Sequence, residues 1–467
     1  MATHTLDLSQ ISRVYLLGIG GIGMSALARY FLHQGLRVAG YDLTQTPLTE
    51  QLSREGVSVH YTDGEKFVPR EFCSLDPHTL VIYTPALPSD SKEICFFERL
   101  GYRLYKRAEV LGVLAQDRRV FAIAGAHGKT TTTTLLMYLL SQSEGCDALM
   151  GGVSLNLGSN LYLGDKGKRN LVVEADEYDR SFLHLFPYVT IVTSMAADHL
   201  DVYGSFDSLV QTFRQFAKQN TQKKLIVQQT AQRYFLDQGL EITTYGYSEE
   251  CDYWATNIEG QGSETRFCFH NHRGDAMEVV LGIPGSYNVE NAMAALVACE
   301  QVGIDVKGII PTLRNFKGVQ RRYEICYQSE KMVYIDDYAH HPDELRSIIT
   351  ATRKRYPNRR LTGIFQPHLY TRTRDFANDF AFALSDLHTL LLLPIYSARE
   401  TPIDGVSSEM LLQLIPSHVE KMLVAPEQLY DVLEVLPIEI LLTLGAGNIG
   451  AMPPRIVEVL QKKEGKV

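Results

Sequence analysis

The stretch Val120-Phe121-Ala122-Ile123-Ala124-Gly125-Ala126-His127-Gly128-Lys129-Thr130-Thr131 joins an apolar run to a glycine turn. A segment with helical character follows, including Leu135-Leu136-Met137-Tyr138-Leu139-Leu140. Gly-Lys-Thr placed after a strand and opening a helix has the chemistry of a phosphate-binding loop. Glycines let backbone N–H groups converge on phosphate oxygens, a lysine supplies a cation, and a threonine hydroxyl can ligate Mg²⁺. Gly125, His127, Gly128, Lys129, Thr130 and Thr131 are therefore candidate contacts for a nucleoside triphosphate. The strict G-x-x-x-x-G-K-[ST] pattern fails at its first position, where Ile123 stands. The competing reading is an ordinary glycine turn between strand and helix.

Two acidic clusters follow. Asn170-Leu171-Val172-Val173 ends in Glu174-Ala175-Asp176-Glu177, and Val189-Thr190-Ile191-Val192-Thr193 runs toward Asp198-His199-Leu200-Asp201. In an open parallel sheet the carboxyl ends of strands are where ligands bind. Glu174 and His199 can then face the phosphate loop, and a carboxylate with an imidazole and no thiolate suits a divalent ion rather than a structural zinc. Taken singly, such residues are more often solvated loop ends or satisfied hydrogen-bonders. Further on, Asn288 and Asn291 lie three apart on one helix face, where two amides can read a purine edge.

A second glycine loop comes early. Arg13-Val14-Tyr15-Leu16-Leu17 runs into Gly18-Ile19-Gly20-Gly21-Ile22-Gly23 and a helical Met24-Ser25-Ala26-Leu27, and a second strand ends at Asp42, at the spacing of a ribose-binding acid. The motif fits a nucleotide diphosphate and leaves open which one. NAD would make the protein an oxidoreductase, a UDP-sugar can use the same backbone donors, and a loop that merely packs strand against helix needs no ligand.

These residues need elements to hold them, and the chain supplies three stretches of alternating strand and helix. We expect an α/β protein with a Rossmann-like domain over 1–106, a central phosphate-loop α/β domain over 107–324, and a second Rossmann-like domain over 325–467. Segment 241–282 reads as β-rich and carries the only tryptophan, Trp254. With 467 residues the chain is too long for a single core. A net charge of −9 argues against a nucleic-acid footprint. Seven scattered cysteines without a C-x-x-C pair read as reduced thiols. The N-terminus lacks the pattern of a signal peptide and no apolar run is long enough to span a membrane, so a cytoplasmic protein is expected.

In order along the chain, Gly-Ile-Gly-Gly-Ile-Gly-Met-Ser from 18, Ala-Gly-Ala-His-Gly-Lys-Thr-Thr-Thr from 124, Glu-Ala-Asp-Glu from 174, Asp-His-Leu-Asp from 198, Gly-Ser-Tyr-Asn-Val-Glu-Asn-Ala from 285, Gln-Arg-Arg-Tyr-Glu from 320 and Asp-Asp-Tyr-Ala-His-His-Pro from 336 resemble the Mur ligases, ATP-dependent enzymes that form amide bonds. The resemblance covers essentially the whole chain. It implies a domain for a UDP-linked substrate, an ATPase domain and a domain that brings in the amino acid. The implied reaction joins L-alanine to the lactyl carboxylate of UDP-N-acetylmuramate through an acyl phosphate, with ATP and Mg²⁺. The alternative within the family is attachment of a murein tripeptide to the same sugar nucleotide. Assembly as a monomer or homodimer is expected.

The resemblance also implies roles. Lys129, Glu174, His199 and His340 would be catalytic, and Thr130, Glu174 and His199 would hold metal. Asn288, Asn291 and Tyr287 would address adenine, Arg322 the phosphates and Asp337 the ATP ribose. Gly20, Gly21, Gly23, Met24 and Ser25 would cradle UDP, with Asp42 a further substrate contact. Tyr338, His340 and Arg372 would form the alanine site, Arg372 pairing the amino-acid carboxylate. The chain departs from the family pattern at Ala126 (usually Thr or Ser), Tyr287 (usually His) and Leu369 (often Arg). Phe213-Arg214-Gln215-Phe216 offers no lysine where many relatives carry a carbamylated one, and none is expected.

Overall fold

Continuous apolar runs make the central strands, because each is covered on both faces. In the computed structural model, which describes residues 6–465 except 86, 89, 166–168, 197–199, 221–223, 237, 262 and 399, three sheets form. The first is fully parallel, in the spatial order Ser58–His60, Arg37–Tyr41, Arg13–Leu17, Thr79–Tyr83, Leu104–Lys106. This is a Rossmann-like order.

The second sheet has ten strands. Its parallel centre runs Ile242–Gly246, Lys224–Gln228, Val189–Val192, Arg119–Ala124, Asn170–Glu174, Asp147–Ser154. Ser159–Leu163 closes one edge as a hairpin, and Tyr253–Gln261, Glu264–Asn271 and Ala276–Leu281 form a meander at the other. The phosphate-loop strand, Arg119–Ala124, is thereby central, flanked by Val189–Val192 and Asn170–Glu174. The third sheet holds Glu324–Gln328 antiparallel to Val333–Asp337, followed by Ile440–Leu444, Leu361–Phe365, Thr389–Leu392 and Glu420–Leu423 in parallel.

The described residues form two compact units, 1–318 and 319–467. In the first unit one apolar core spans two sheets, with Val14, Leu16 and Leu27 in the same cluster as Val120, Val173 and Leu225. Helix Ile22–His33 packs on the hairpin strands Asp147–Ser154 and Ser159–Leu163. A polar clamp sits in that contact: Asn160 donates to the Ile22 carbonyl at 2.6 Å and to Ser25 Oγ at 2.9 Å, and accepts from buried Arg29. Arg29 in turn pairs with Glu55 at 2.8 Å. Gly151 and Gly152 interrupt the apolar run Ala148-Leu149-Met150 within the first strand of that hairpin. No helix among the described residues is long and apolar enough to cross a membrane.

The first sheet also buries a titratable triad. Tyr15 donates to Glu93 Oε2 at 2.6 Å, the Gly64 amide donates to Oε1 at 3.2 Å, and the His60 ring lies 2.8 Å from the Tyr15 hydroxyl. Burial pushes the Glu93 carboxyl up to about 7, with Tyr15 and Gly64 opposing and Asp63 reinforcing. The folded value exceeds the ordinary 4.5, so the unfolded chain releases this proton first. The contribution to stability is complete below pH 4.5 and is lost as pH rises through about 7. The magnitude is roughly 3 kcal/mol. Urea denaturation between pH 5 and 8 should show stability falling with pH, and Glu93→Gln should flatten that slope.

Candidate active site

The phosphate loop is shaped by close approach of backbone. Gly125 has φ +133°, and a Cβ there would collide with Thr193 Oγ1 and lie 2.8 Å from the Ser194 amide nitrogen. Gly128 (φ +83°) opens the helix Lys129–Ser141, and a Cβ there would meet Asn291 Oδ1 at 2.5 Å. Both glycines are thus required by conformation and by space. The loop is stapled to the end of the neighbouring strand: Ser194 Oγ accepts from the His127 amide at 2.8 Å, and Thr193 Oγ1 donates to the His127 carbonyl at 2.5 Å. The Ala126 amide donates to the Ser194 carbonyl at 3.3 Å. The family's usual hydroxyl at 126 is absent, and the loop is held by backbone and by these two neighbours. Thr193 and Ser194 had no role in the sequence reading, although their place at the end of a strand beside the loop was a usable signal.

Lys129 Nζ donates to the Gly125 carbonyl at 2.6 Å and to both oxygens of Glu177, at 2.7 and 2.9 Å. Side-chain exposure is 15 % for Lys129 and 3 % for Glu177. Burial opposes the lysine's charge, but Glu177, Glu174 and Asp176 outweigh it and hold the ammonium above the ordinary lysine range. Glu177 was visible only as part of an acidic cluster; its pairing depends on how the chain turns after Asn170–Glu174.

Glu174 ends its strand with a different environment. Its Oε2 is buried and has no hydrogen-bond partner among the described residues. A Cβ at Gly151 would collide with this carboxylate, so the glycine of the neighbouring strand makes room for it. Thr130 and Thr131 are buried at the helix start. His199 lies outside the described residues, and among the described ones no cluster of three or more metal-binding side chains occurs.

Glu174 and Asp176 also line a cavity of about 230 Å³ in the first unit, facing Gly21, Ile22, Gly23 and Met24 across it. Arg107 lines it as well, 3.4 Å from Asp176 Oδ2. A Cβ at Gly23 would lie 2.6 Å from Arg107 Nη1, so the glycine admits the guanidinium. The early glycine loop and the acidic strand end, separated in sequence, therefore share one pocket.

Other expected residues make structural contacts within the fold. Ser25 has no exposed surface; its hydroxyl donates to the Ile22 carbonyl and accepts from Asn160. It fixes the helix start and is not among the residues that line the cavity described above. Asp42 accepts from the Gly20 amide at 2.8 Å and the Thr44 amide at 3.1 Å, so it shapes the glycine loop from inside. Asn288 and Asn291 are buried in a chain of bonds: Thr132 Oγ1 to Asn291 Oδ1 at 3.1 Å, Asn291 to Asn288 Oδ1 at 3.1 Å, and Asn288 to the Pro284 carbonyl at 2.6 Å. This chain locks helix Ser286–Gln301 to the phosphate-loop helix and uses only part of the hydrogen-bonding capacity of the two amides.

In the second unit, Asp337 accepts from the Tyr323 amide at 2.7 Å and the Ala339 amide at 2.8 Å. Burial pushes its carboxyl up to about 6, with Arg322 opposing. The Arg321 and Arg322 guanidinium groups lie 5.2 and 5.4 Å from the Tyr338 ring centroid. His340 packs edge-on to Tyr338 and His368, and Arg372 Nη1 is 3.5 Å from His368 Nδ1. His340 Nδ1 lies 3.0 Å from the Tyr338 carbonyl, which can only accept, so Nδ1 carries the proton and Nε2 is the basic nitrogen. Burial lowers the His340 pKa, and Arg372 and Arg322 act in the same direction against Glu344. Leu369, the departure beside this group, holds φ +72°, a strained value for a branched side chain. Tyr338, His340 and Arg372 are thus brought together, with His368 as a neighbour the sequence reading did not include.

A phosphate loop in a central parallel sheet, an acidic strand end beside it and a glycine-loop pocket opposite define a nucleotide-using α/β protein. The chain belongs to the Mur ligase family: the Mur ligase catalytic-domain model matches residues 13–119, the Mur ligase middle-domain model 123–299, and the Mur ligase glutamate-ligase-domain model 321–447. A UDP-N-acetylmuramate–L-alanine ligase of Phocaeicola vulgatus is 42 % identical over 462 residues, covering 98 % of this chain and 100 % of the relative. One from Porphyromonas gingivalis is 43 % identical over 456 residues, covering 97 % and 99 %. Among solved structures, a UDP-N-acetylmuramate–alanine ligase of Thermotoga maritima superposes with a TM-score of 0.82 at 26 % identity, covering 96 % of this chain and 99 % of that one. A murein peptide ligase of Psychrobacter arcticus superposes at 0.71 with 23 % identity, covering 96 % and 98 %.

The loop geometry carries a direct test. Gly125→Ala forces a side chain against Thr193 and the Ser194 backbone at a left-handed φ, so binding of an ATP analogue should weaken by at least about 100-fold, equivalent to ~3 kcal/mol. Calorimetry on the folded variant checks it.

Proposed function

We infer that this chain is an ATP-dependent ligase that joins L-alanine to the lactyl carboxylate of UDP-N-acetylmuramate. The observation that carries the reading is the pairing, in one unit, of a lysine-bearing phosphate loop with a cavity lined by a glycine loop and by Glu174. Full-length likeness to alanine ligases supports the particular substrates.

The lactyl carboxylate attacks the γ-phosphorus, a P–O bond forms, and the bond to the β-phosphate oxygen breaks as ADP leaves. The alanine amine then adds to the acyl carbon, and inorganic phosphate leaves from the tetrahedral intermediate. Two anions must meet in the first step, so the protein's task is positioning and neutralisation. Lys129 supplies a fixed positive charge, and the Gly125–Thr131 backbone orients the phosphates. The amine must shed its proton before or during attack, and the basic Nε2 of His340 suits that step. Arg372 is assigned to the amino-acid carboxylate, Tyr338 to the same site, and Gly20, Gly21, Gly23 and Met24 to the UDP moiety. Arg322 and Asp337 are assigned to ATP on the family resemblance alone.

The orphaned, buried Glu174 Oε2 is the donor a hard divalent cation takes, and Thr130 offers a hydroxyl at the loop. These residues fit Mg²⁺, with His199 assigned as a further ligand by the resemblance; bound there, the ion would neutralise phosphate charge. We further propose the division into sugar-nucleotide, ATP and amino-acid domains over 1–106, 107–324 and 325–467, and a cytoplasmic location. Transfer of a murein tripeptide is the less supported alternative, since the murein peptide ligase fold matches at lower TM-score and identity.

Phosphate release should require ATP, UDP-N-acetylmuramate and L-alanine together; release independent of alanine, or dependent on tripeptide instead, overturns the reading. Lys129→Ala should lower the rate by at least about 100-fold, as loss of a preorganised charge does.

A further inference from the structure

An ammonium has three N–H donors, and Lys129 directs three bonds at protein, two to the Glu177 oxygens and one to the Gly125 carbonyl. A phosphate oxygen can bond this lysine only by taking one of those donors. Glu177 is placed for that contest by a well-anchored segment. The Tyr203 hydroxyl donates to the Glu177 carbonyl at 2.5 Å, and the Arg180 amide donates to it at 2.9 Å. Lys106 Nζ lies 2.7 Å from Asp179 Oδ2, and Arg107 reaches Asp176. Asp179 and Arg180 hold φ of +52° and +55°, two consecutive left-handed residues that these contacts sustain.

We propose that Glu177 is a positioning residue that competes with the nucleotide's phosphate for Lys129 and recaptures the lysine as product leaves. The inference rests on the nucleotide-binding part of the reading above. Moving Lys129 onto phosphate takes the cation from a carboxylate that is 3 % exposed, and that cost is set against nucleotide binding. The same cost favours release once the phosphoryl group has been transferred. Glu174 and Asp176 add negative charge around the ammonium but make no hydrogen bond to it, so the exchange is specific to Glu177.

Glu177→Gln keeps the size of the side chain and removes its charge. Calorimetry on the full chain, with a non-hydrolysable ATP analogue and magnesium, should give affinity tighter than wild type by on the order of tenfold. In steady state, KM for ATP and kcat should fall together, because product is held longer. Equal or weaker affinity at an unchanged melting temperature, or a raised KM, overturns the proposal. Glu177→Asp, which withdraws the carboxylate by one methylene, should tighten binding by a smaller factor; it carries the test if the glutamine variant does not fold, and no tightening in it overturns the proposal likewise. Wild type that binds the analogue without alanine-dependent phosphate release would sink the ligase reading while leaving this comparison decisive for Glu177. Wild type that fails to bind the analogue sinks both.

Discussion

A buried ammonium must be surrounded by negative charge or it loses its proton, and the first unit is arranged around that constraint at Lys129. Three carboxylates at the end of one strand raise its pKa against the pull of burial. For them to be in range, Asn170–Glu174 must be the immediate parallel neighbour of Arg119–Ala124, in a register that pairs Ile123 with Glu174. The other neighbour, Val189–Val192, brings Thr193 and Ser194 to the loop backbone. One strand order thus supplies both the charge that holds the lysine and the hydroxyls that shape the loop.

The glycine-loop pocket depends on the same sheet by a different route. Hairpin strand Asp147–Ser154 lies beside Asn170–Glu174, where Gly151 leaves room for the Glu174 carboxylate. The hairpin's second strand supplies Asn160, which grips the start of helix Ile22–His33. A small residue and an amide therefore fix how the early glycine loop faces the acidic strand end. Arg107 occupies the remaining side, admitted by the absence of a side chain at Gly23.

In the second unit, charge is used to hold backbone in uncommon conformations. Arg321 and Tyr323 both have positive φ. Arg321 is held by Asp336 at 3.0 Å and by the Gly445 carbonyl at 2.6 Å, while Tyr323 is held through its amide by Asp337. Thr443 completes the arrangement by donating to Asp336 at 2.6 Å. These hydrogen bonds and the Arg321 ion pair offset the cost of burying Asp336 and Asp337, and they fix where Arg322 and Tyr338 leave the backbone. Leu369 adds strain next to His368 and Arg372; its amide donates to the Tyr396 carbonyl at 2.9 Å and its own carbonyl accepts from the Thr373 hydroxyl at 2.7 Å, which hold it there.

Much of this protein was determined by local sequence. Apolar runs that stop at Gly125, Glu174 or Thr193 mark parallel strands, and loops at strand ends are where such sheets bind ligands; that logic singles out Lys129 and Glu174, whereas His340 followed from the resemblance to the Mur ligases. What tertiary structure decided was which of several similar groups meets which. Glu174 and Glu177 are three residues apart and read alike, yet one faces a cavity with an unpartnered oxygen and the other grips Lys129. Asp42 and Ser25 match a ligand-binding spacing, and the fold also makes them brace their own loop and helix. The reason is physical: a motif specifies residue types and local backbone shape, while partner choice depends on strand order and on neighbours more than 20 residues away, such as Asn160 for Ser25 and Thr132 for Asn291.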